Sequence, residues 1–232
     1  MSDLSTTNAP TASTVVIQMW IDPLRRKKAP PTHLESAMDS VRRYTIQNGY
    51  GYALKSHAHT RLSSEHHVSW QRIPYLLETL QSGMQVAAFL DADMHITNPA
   101  LRIEQLMHAC GKQAELVVAS NRDHAGGCGC CLGKCPCLVN NGMLIMRNTS
   151  FVIELLSSML RMDHSPSCMA YRKVEHREQD CLQLKLQAKG ELPLNGTSKG
   201  CDLRYYPSSC PNGVNVYGLA NLGACACCPE IG

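Results

Sequence analysis

The chain has 232 residues, 44% of them hydrophobic, which is enough for one α/β domain with a full core. Its formal net charge of +3 and its aromatic content of 5% argue against a nucleic-acid-binding protein, because they indicate neither a strongly basic surface nor a base-stacking platform. No apolar run approaches the length that is needed to cross a bilayer.

The first residues, Met1–Thr14, are rich in Ser, Thr, Ala and Asn and lack the basic-then-apolar order of a signal peptide. We interpret residues 1–14 as a disordered tail and residues 15–232 as one domain. Because no leader or anchor is recognisable, we expect a cytoplasmic location.

The first part of the chain alternates predicted strands and helices. Val15–Met19 and Tyr50–Lys55 are typical of strands, and between them the apolar residues of His33–Gln47 return at helical spacing. A second helix is predicted over Ser69–Gly83, and a third strand follows over Val86–Leu90. This order indicates a Rossmann-like α/β sheet. No G-x-G-x-x-G follows the first strand, which argues against a dinucleotide cofactor.

Two aspartates, Asp91 and Asp93, come directly after the third predicted strand. Ligands of open α/β sheets bind beyond the carboxyl ends of the strands, so both carboxylates can converge there on one hard cation, Mg²⁺ or Mn²⁺. Two other interpretations are open, an ordinary aspartate turn and the nucleophile strand of a haloacid-type phosphohydrolase. The phosphohydrolase is the weaker one, because that class expects Thr or Val at the position of His95.

The second part of the chain carries further predicted elements, assigned from the same periodicities. They are helices over Asn98–Cys110, Ser150–Met162 and Cys181–Gln187, and strands over Glu115–Ala119, Met143–Arg147, Leu203–Tyr206 and Val214–Tyr217. Asn98 and Pro99 would cap and begin the first of these helices. Asn140-Asn141-Gly142 predicts a tight turn before its strand, and it can equally present amides to a sugar.

Thirteen cysteines are present, and two groups of them have the C-x-x-C spacing that suits a zinc ion. Our first choice is a structural zinc held by Cys128, Cys131, Cys225 and Cys228. Disulfides and an oxidation-prone free-thiol loop are the alternatives, and disulfides are less favoured because no secretory signal is present. A thioredoxin-like redox centre is not favoured, since neither pair opens a helix of a βα unit.

The order of these segments resembles the galactosyl- and mannosyltransferase family that includes plant xyloglucan xylosyltransferases and fungal α-galactosyl- and α-mannosyltransferases. The resemblance covers roughly residues 15–190. Its matching segments are Tyr44–Tyr52, Trp70–Pro74, Asp91–Asp93, Asn140–Gly142 with its strand, and Gln179-Asp180. The glycine- and cysteine-rich loop between the fourth and fifth predicted strands is not part of the family pattern.

The resemblance implies a GT-A fold and retaining, metal-dependent transfer of a hexose or pentose from a nucleotide-diphosphate sugar to a glycan or other hydroxyl acceptor. A UDP-sugar is the favoured donor, and GDP-mannose is the alternative. On this basis Asp91 and Asp93 bind Mn²⁺ or Mg²⁺, Gln179 and Asp180 are the catalytic pair, and Asp180 lies near the reacting carbon. Other residues implied to bind the donor, together with both metal-binding aspartates, are Arg72, Ala92, Asn140, Asn141 and Gly142.

The family usually supplies a late histidine as a further metal ligand, and here no histidine follows His176. Asn215, Asn221 or a cysteine of the tail would have to take its place. The alternative hypothesis is therefore a catalytically lapsed glycosyltransferase relative that serves as a zinc-stapled binding module.

Overall fold

A computed structural model of the chain describes residues 12–21, 30, 32–59, 62, 66–110, 114–119, 140–161, 168, 177–188 and 205–207. The strands are β1 (Thr14–Met19), β2 (Gly51–Lys55), β3 (Val86–Asp91), β4 (Leu116–Ala119), β5 (Asn140–Arg147) and β6 (Tyr205–Pro207). The helices are α1 (Thr32–Asn48), α2 (Arg72–Gln81), α3 (Ile103–Ala109), α4 (Ser150–Leu160) and α5 (Arg177–Ala188). A 3₁₀ turn over Val68–Gln71 leads directly into α2.

All six strands form one sheet in the order β2-β1-β3-β5-β4-β6. β1 runs parallel to both β2 and β3, so Met19 pairs with Lys55 on one side and with Asp91 on the other. β5 runs antiparallel to β3, with Leu90 paired to Met143. Because of this reversal, the beginning of β5 meets the carboxyl end of β3 at one edge of the sheet.

Both faces of the sheet are covered, as the uninterrupted apolar run of β3 predicts. Ala87 and Phe89 belong to a core cluster formed with α2, α4 and α5. Ala88 and Leu90, whose side chains point the other way, belong to a second cluster with α1 and α3. All residues from Val86 to Leu90 are buried, and the first partly exposed residue of the strand is Asp91.

The predicted strands and helices of the first part are present, and two glycines end their helices as the patterns indicate. Gly49 follows α1 with φ of 71° and Gly83 follows α2 with φ of 98°, a conformation that glycine adopts readily. No helix among the described residues combines the length and the apolar character that a membrane span requires.

Three predicted elements differ from the structure. The helix predicted over Cys181–Gln187 begins earlier, at Arg177. The helix expected from Asn98 begins only at Ile103, because the Asn98 side chain accepts a hydrogen bond from Ala100 N over 3.2 Å and so stabilises a turn. The tight turn expected at Asn140-Asn141-Gly142 is instead the first part of β5, and Asn140 pairs with Ala119 beside an irregularity in β4. Pairing with neighbouring strands therefore overrides the local turn preference.

One disulfide, between Cys168 and Cys181, is present among the described residues. Both cysteines are buried in the core cluster that packs on α2 and α4. The bond fixes the middle of α5 to a residue 13 positions earlier in the chain. The sequence analysis disfavoured disulfides and did not single out this pair, which has no recognisable spacing motif. The predicted strand at Val214–Tyr217 lies outside the described residues.

Candidate active site

The aspartate motif lies at the carboxyl edge of the sheet, on a turn that is fixed by main-chain contacts. The carbonyl oxygen of Asp91 accepts hydrogen bonds from Gln18 Nε2 over 3.1 Å and from Met94 N over 3.0 Å. Tyr52 donates in turn to Gln18 Oε1 over 3.1 Å. The Asp91 side chain is 36% exposed, and Asp93 is exposed. Both aspartates are thus accessible to a ligand at this edge.

Arg72, the first residue of α2, is 5% exposed and lies against the same edge. Its Nη2 lies 3.2 Å from Asp91 Oδ1, and its Nη1 donates to the carbonyl oxygen of Asn141 over 2.5 Å. Its Nε donates to the carbonyl oxygen of Ser69 over 3.0 Å, and its Cζ lies 4.8 Å from the centroid of the Phe89 ring. One guanidinium therefore joins the ends of β3 and β5 and the turn before α2.

Glu178 of α5 is a second acid that lies close to this guanidinium. Its Oε1 lies 3.6 Å from Arg72 Nε, and its Oε2 accepts a hydrogen bond from Ser69 Oγ over 2.5 Å. Ser69 Oγ also lies 3.0 Å from His67 Nδ1. The Glu178 side chain is 1% exposed, so α5 carries a buried acid into the centre of the site. The sequence patterns do not single out Glu178 as a site residue, although it directly precedes the matching segment Gln179-Asp180.

Asn141 and Gln179 meet beside Arg72. The main-chain N–H of Asn141 donates to Gln179 Oε1 over 3.0 Å, and both residues are buried. The Asn141 side chain is fully buried, and its Oδ1 and Nδ2 have no hydrogen-bond partner among the described residues. Buried amides are normally hydrogen-bonded, so the Asn141 amide keeps the capacity for further hydrogen bonds beyond those to the described residues.

The residues implied by the family resemblance thus fall into three groups. Arg72, Asp91, Asn141 and Gln179 are brought together by the contacts given above. Ala92, Asp93 and Gly142 adjoin this group along the chain, while Asn140 and Asp180 lie in β5 and α5 with side chains outside the described part. The proposed zinc ligands lie outside the described residues and are Cys128, Cys131, Cys225 and Cys228.

A divalent cation fits the donor set that this edge offers. Asp91 and Asp93 supply carboxylate oxygens, which Mg²⁺ and Mn²⁺ prefer, and both side chains are reachable from solvent. No group of three metal-binding side chains occurs within the described ranges. Cations of this class often bind through one or two carboxylates together with waters and substrate phosphates, so two aspartates suffice for such a site.

An apolar cleft lies on the other face of β3, away from Arg72. It has about 460 Å³ of empty space, part of it open to solvent, between the sheet and the segment that leads into α3. Leu90, Met143, Ile103 and Leu106 line it, and the Tyr44 hydroxyl at its wall donates to the Leu101 carbonyl over 2.8 Å. The cleft is therefore separate from the polar group around the aspartates.

Comparison with solved structures relates the fold of the chain to that of a glycosyltransferase. A glycosyltransferase involved in the glycosylation of the major capsid of PBCV-1 matches with a TM-score of 0.54 and 12% identity, over 84% of this chain and 80% of its own. The glycosyltransferase GlyE of Streptococcus pneumoniae TIGR4 matches with a TM-score of 0.46 and 14% identity, and A197 from STIV with 0.39 and 12%.

The match to GlyE covers 84% of this chain but only 45% of GlyE. The match to A197 covers 73% of this chain and 78% of A197. No family model matches the sequence, and no curated protein matches it. The match to the PBCV-1 enzyme has a TM-score above 0.5 over most of both chains. The prediction of an α/β glycosyltransferase fold is confirmed: the chain has the fold of a glycosyltransferase.

Proposed function

We propose that the chain is a retaining, metal-dependent glycosyltransferase that moves a hexose or pentose from a nucleotide-diphosphate sugar to a glycan or other hydroxyl acceptor. The observation that carries this proposal is the meeting of Asp91, Arg72, Asn141 and Gln179 at the carboxyl edge of a glycosyltransferase-type sheet. Ligands of such sheets bind at this edge, and the residues that meet there combine an acid, a guanidinium and two buried amides.

Each group has a distinct task in this proposal. Asp91 and Asp93 hold Mn²⁺ or Mg²⁺, which when bound neutralises negative charge on the departing diphosphate. The amide of Asn141, which has no hydrogen-bond partner within the described part of the chain, and the side chain of Gln179 orient hydroxyl groups of the donor sugar. Ala92, Asn140 and Gly142 line the donor, and Asp180 lies near the reacting carbon.

The retaining course follows the family resemblance. The bond from the sugar carbon to the phosphate oxygen breaks while the acceptor oxygen attacks from the same face. The acceptor proton passes to the leaving phosphate, so this course does not require a strong protein base. A UDP-sugar is the proposed donor, and GDP-mannose is the alternative.

Donor hydrolysis tests the proposal. Purified protein is incubated with UDP-sugars or GDP-mannose, with and without Mn²⁺, and release of the nucleoside diphosphate is measured. We expect slow, Mn²⁺-dependent release that falls about 100-fold or more in Asp93→Ala, because a metal ligand is lost. Asp39→Ala removes an exposed acid of α1 and serves as the matched control.

Two results of this assay contradict the proposal. Release that is equal with and without Mn²⁺ would exclude metal dependence. Protein that binds nucleotide sugars, measured as a thermal shift, but never releases the diphosphate would support the lapsed binding module instead.

The cysteine-rich segments carry a second part of the proposal. We propose that Cys128, Cys131, Cys225 and Cys228 hold a structural zinc that joins two distant parts of the chain. Protein purified under reducing conditions should contain one zinc per chain by elemental analysis. A content well below one would contradict this site and leave the glycosyltransferase proposal intact.

A further inference from the structure

Arg72 lies between two carboxylates that belong to different parts of the chain. Its Nη2 is 3.2 Å from Asp91 Oδ1 and its Nε is 3.6 Å from Glu178 Oε1. The side chain of Asp91 is 36% exposed, whereas that of Glu178 is 1% exposed. The guanidinium is therefore paired with one buried acid and with one partly exposed acid.

Ser69 fixes the buried acid in place. Its hydroxyl donates to Glu178 Oε2 over 2.5 Å, while its carbonyl oxygen accepts from Arg72 Nε over 3.0 Å. The plane of the guanidinium is further set by the carbonyl of Asn141 and by the ring of Phe89. A rigid planar group that is held on several sides can meet Asp91 in only one orientation.

The charges of this cluster bear on cation binding. A guanidinium paired with Asp91 alone would offset the negative charge that a divalent cation needs, because the buried Arg72 lies only 3.2 Å from Asp91 Oδ1. Glu178 supplies a second negative charge to the same guanidinium. The three side chains together then carry a net charge of −1, which leaves the edge attractive to a cation.

We propose that Glu178 is a positioning residue that acts through Arg72: it holds the guanidinium against Asp91 and offsets its positive charge, so that Asp91 binds the divalent cation. This inference rests on the proposed function. It also gives Arg72 a role inside the protein, in addition to any contact with the diphosphate. Glu178 itself touches neither the cation nor the donor in this scheme.

The test measures Mn²⁺ binding directly, from the loss of the electron paramagnetic resonance signal of free Mn²⁺ in the presence of UDP. Glu178→Gln keeps the shape and the oxygen that accepts from Ser69 but removes the charge. We expect its Mn²⁺ affinity to fall about tenfold. Glu178→Asp keeps the charge and should bind Mn²⁺ within about threefold of the wild type.

Glu154→Gln is the matched control, because Glu154 is an exposed acid paired with Arg161 over 2.6 Å on the surface. It should bind Mn²⁺ as the wild type does. Melting curves of all variants show which of them fold. If Glu178→Gln fails to fold, the role of the charge is tested with Glu178→Asp instead. A folded Glu178→Asp protein whose Mn²⁺ affinity is about tenfold lower than that of the wild type would overturn this role.

A double-mutant comparison tests whether Glu178 acts on Mn²⁺ binding through Arg72. In an Arg72→Met background, Glu178→Gln should change the Mn²⁺ affinity by less than about twofold, because the connecting group is gone. A folded Glu178→Gln protein with wild-type affinity would overturn the inference alone. A wild type that binds no Mn²⁺ in the presence of UDP would overturn the proposed function, and the inference with it.

Discussion

The main-chain N–H of Asn141 donates a hydrogen bond of 3.0 Å to the side-chain oxygen of Gln179, 38 residues further along the chain. Asn141 lies near the start of β5 and Gln179 in the first turn of α5. The bond places α5 at the edge of the sheet where β3 ends in Asp91. Two segments that the family resemblance assigns separately to the donor are thus parts of one buried polar group.

Loss of this bond should be measurable in both stability and binding. Gln179→Ala leaves the buried N–H of Asn141 without its acceptor, so we expect the free energy of unfolding to fall by about 1–3 kcal/mol. Donor affinity should fall as well, because α5 is less well held. Urea unfolding and a thermal-shift titration with a UDP-sugar measure the two effects. Gln81→Ala, at an exposed position of α2, should change neither; a Gln179 variant as stable as this control would contradict the expectation.

Removal of the Arg72 guanidinium should be more costly. Arg72→Met leaves buried Glu178 without its ion-pair partner, and breaking such a pair typically costs about 3–5 kcal/mol. The partly exposed partner Asp91 is better solvated, so we expect a value near the lower end of that range. Urea unfolding provides the measurement.

The control for Arg72 is Arg161→Met. Arg161 pairs with Glu154 over 2.6 Å, but both side chains are more than half exposed. Surface pairs of this kind contribute at most about 1 kcal/mol. Equal losses of stability in the two variants would show that burial of the Arg72 cluster has no energetic consequence.

The Cys168–Cys181 disulfide should stabilise the position of α5. A cross-link that closes a loop of this length stabilises a folded chain by about 3 kcal/mol in the chain-entropy description. Reduction by dithiothreitol should therefore lower the free energy of unfolding of the wild type. In a Cys168→Ala/Cys181→Ala variant, dithiothreitol should lower the free energy of unfolding by about 3 kcal/mol less than it does in the wild type.

This bond also tests the predicted cytoplasmic location, because structural disulfides are rare in the reducing cytosol. Mass spectrometry of protein trapped with a thiol-alkylating reagent directly from its native cells measures the state of Cys168 and Cys181. Alkylation of both in most molecules would agree with the cytosol. A predominantly intact disulfide would favour an oxidising compartment and contradict that prediction.

Tyr50 and Glu104 form a pair whose pKa values shift in opposite directions. Tyr50 donates to Glu104 Oε2 over 2.5 Å. Burial raises the pKa of Tyr50 to about 12, and the hydrogen bond to Glu104 adds to this effect. Burial also acts to raise the pKa of Glu104, but the hydrogen bond from Tyr50, a backbone hydrogen bond and the charge of Arg102 together outweigh it and lower that pKa.

The directions of these two pKa shifts predict that the protein loses stability at both low and high pH. The contribution of Glu104 is complete above its ordinary pKa of 4.5 and is lost as the pH falls through the lower folded value. The contribution of Tyr50 is complete below 10.0 and is lost as the pH rises toward about 12. Tyr50→Phe should flatten both limbs in urea unfolding across this range, and Glu104→Gln should flatten the acid limb. An unchanged acid slope in both variants would refute the coupling.

Residue patterns alone determined much of the framework of this protein. The apolar run Val86–Leu90 predicts a strand buried on both faces, so the position of Asp91 and Asp93 at a sheet edge follows from chain order. The helices around Leu76 and Leu155 follow from apolar spacing, which is a property of residues three or four positions apart. Such signals are local, because they depend on neighbouring residues and not on how distant parts of the chain pack.

Only the tertiary structure decided which side chains meet. Asn141 reaches the edge of Asp91 because β5 runs antiparallel to β3, a direction that its own residues do not encode. Arg72 and Glu178 are 106 positions apart, and their pairing depends on how α2 and α5 pack on one face of the sheet. Buried polar groups must find partners wherever the topology brings them, and that choice is made by the whole fold rather than by any local pattern.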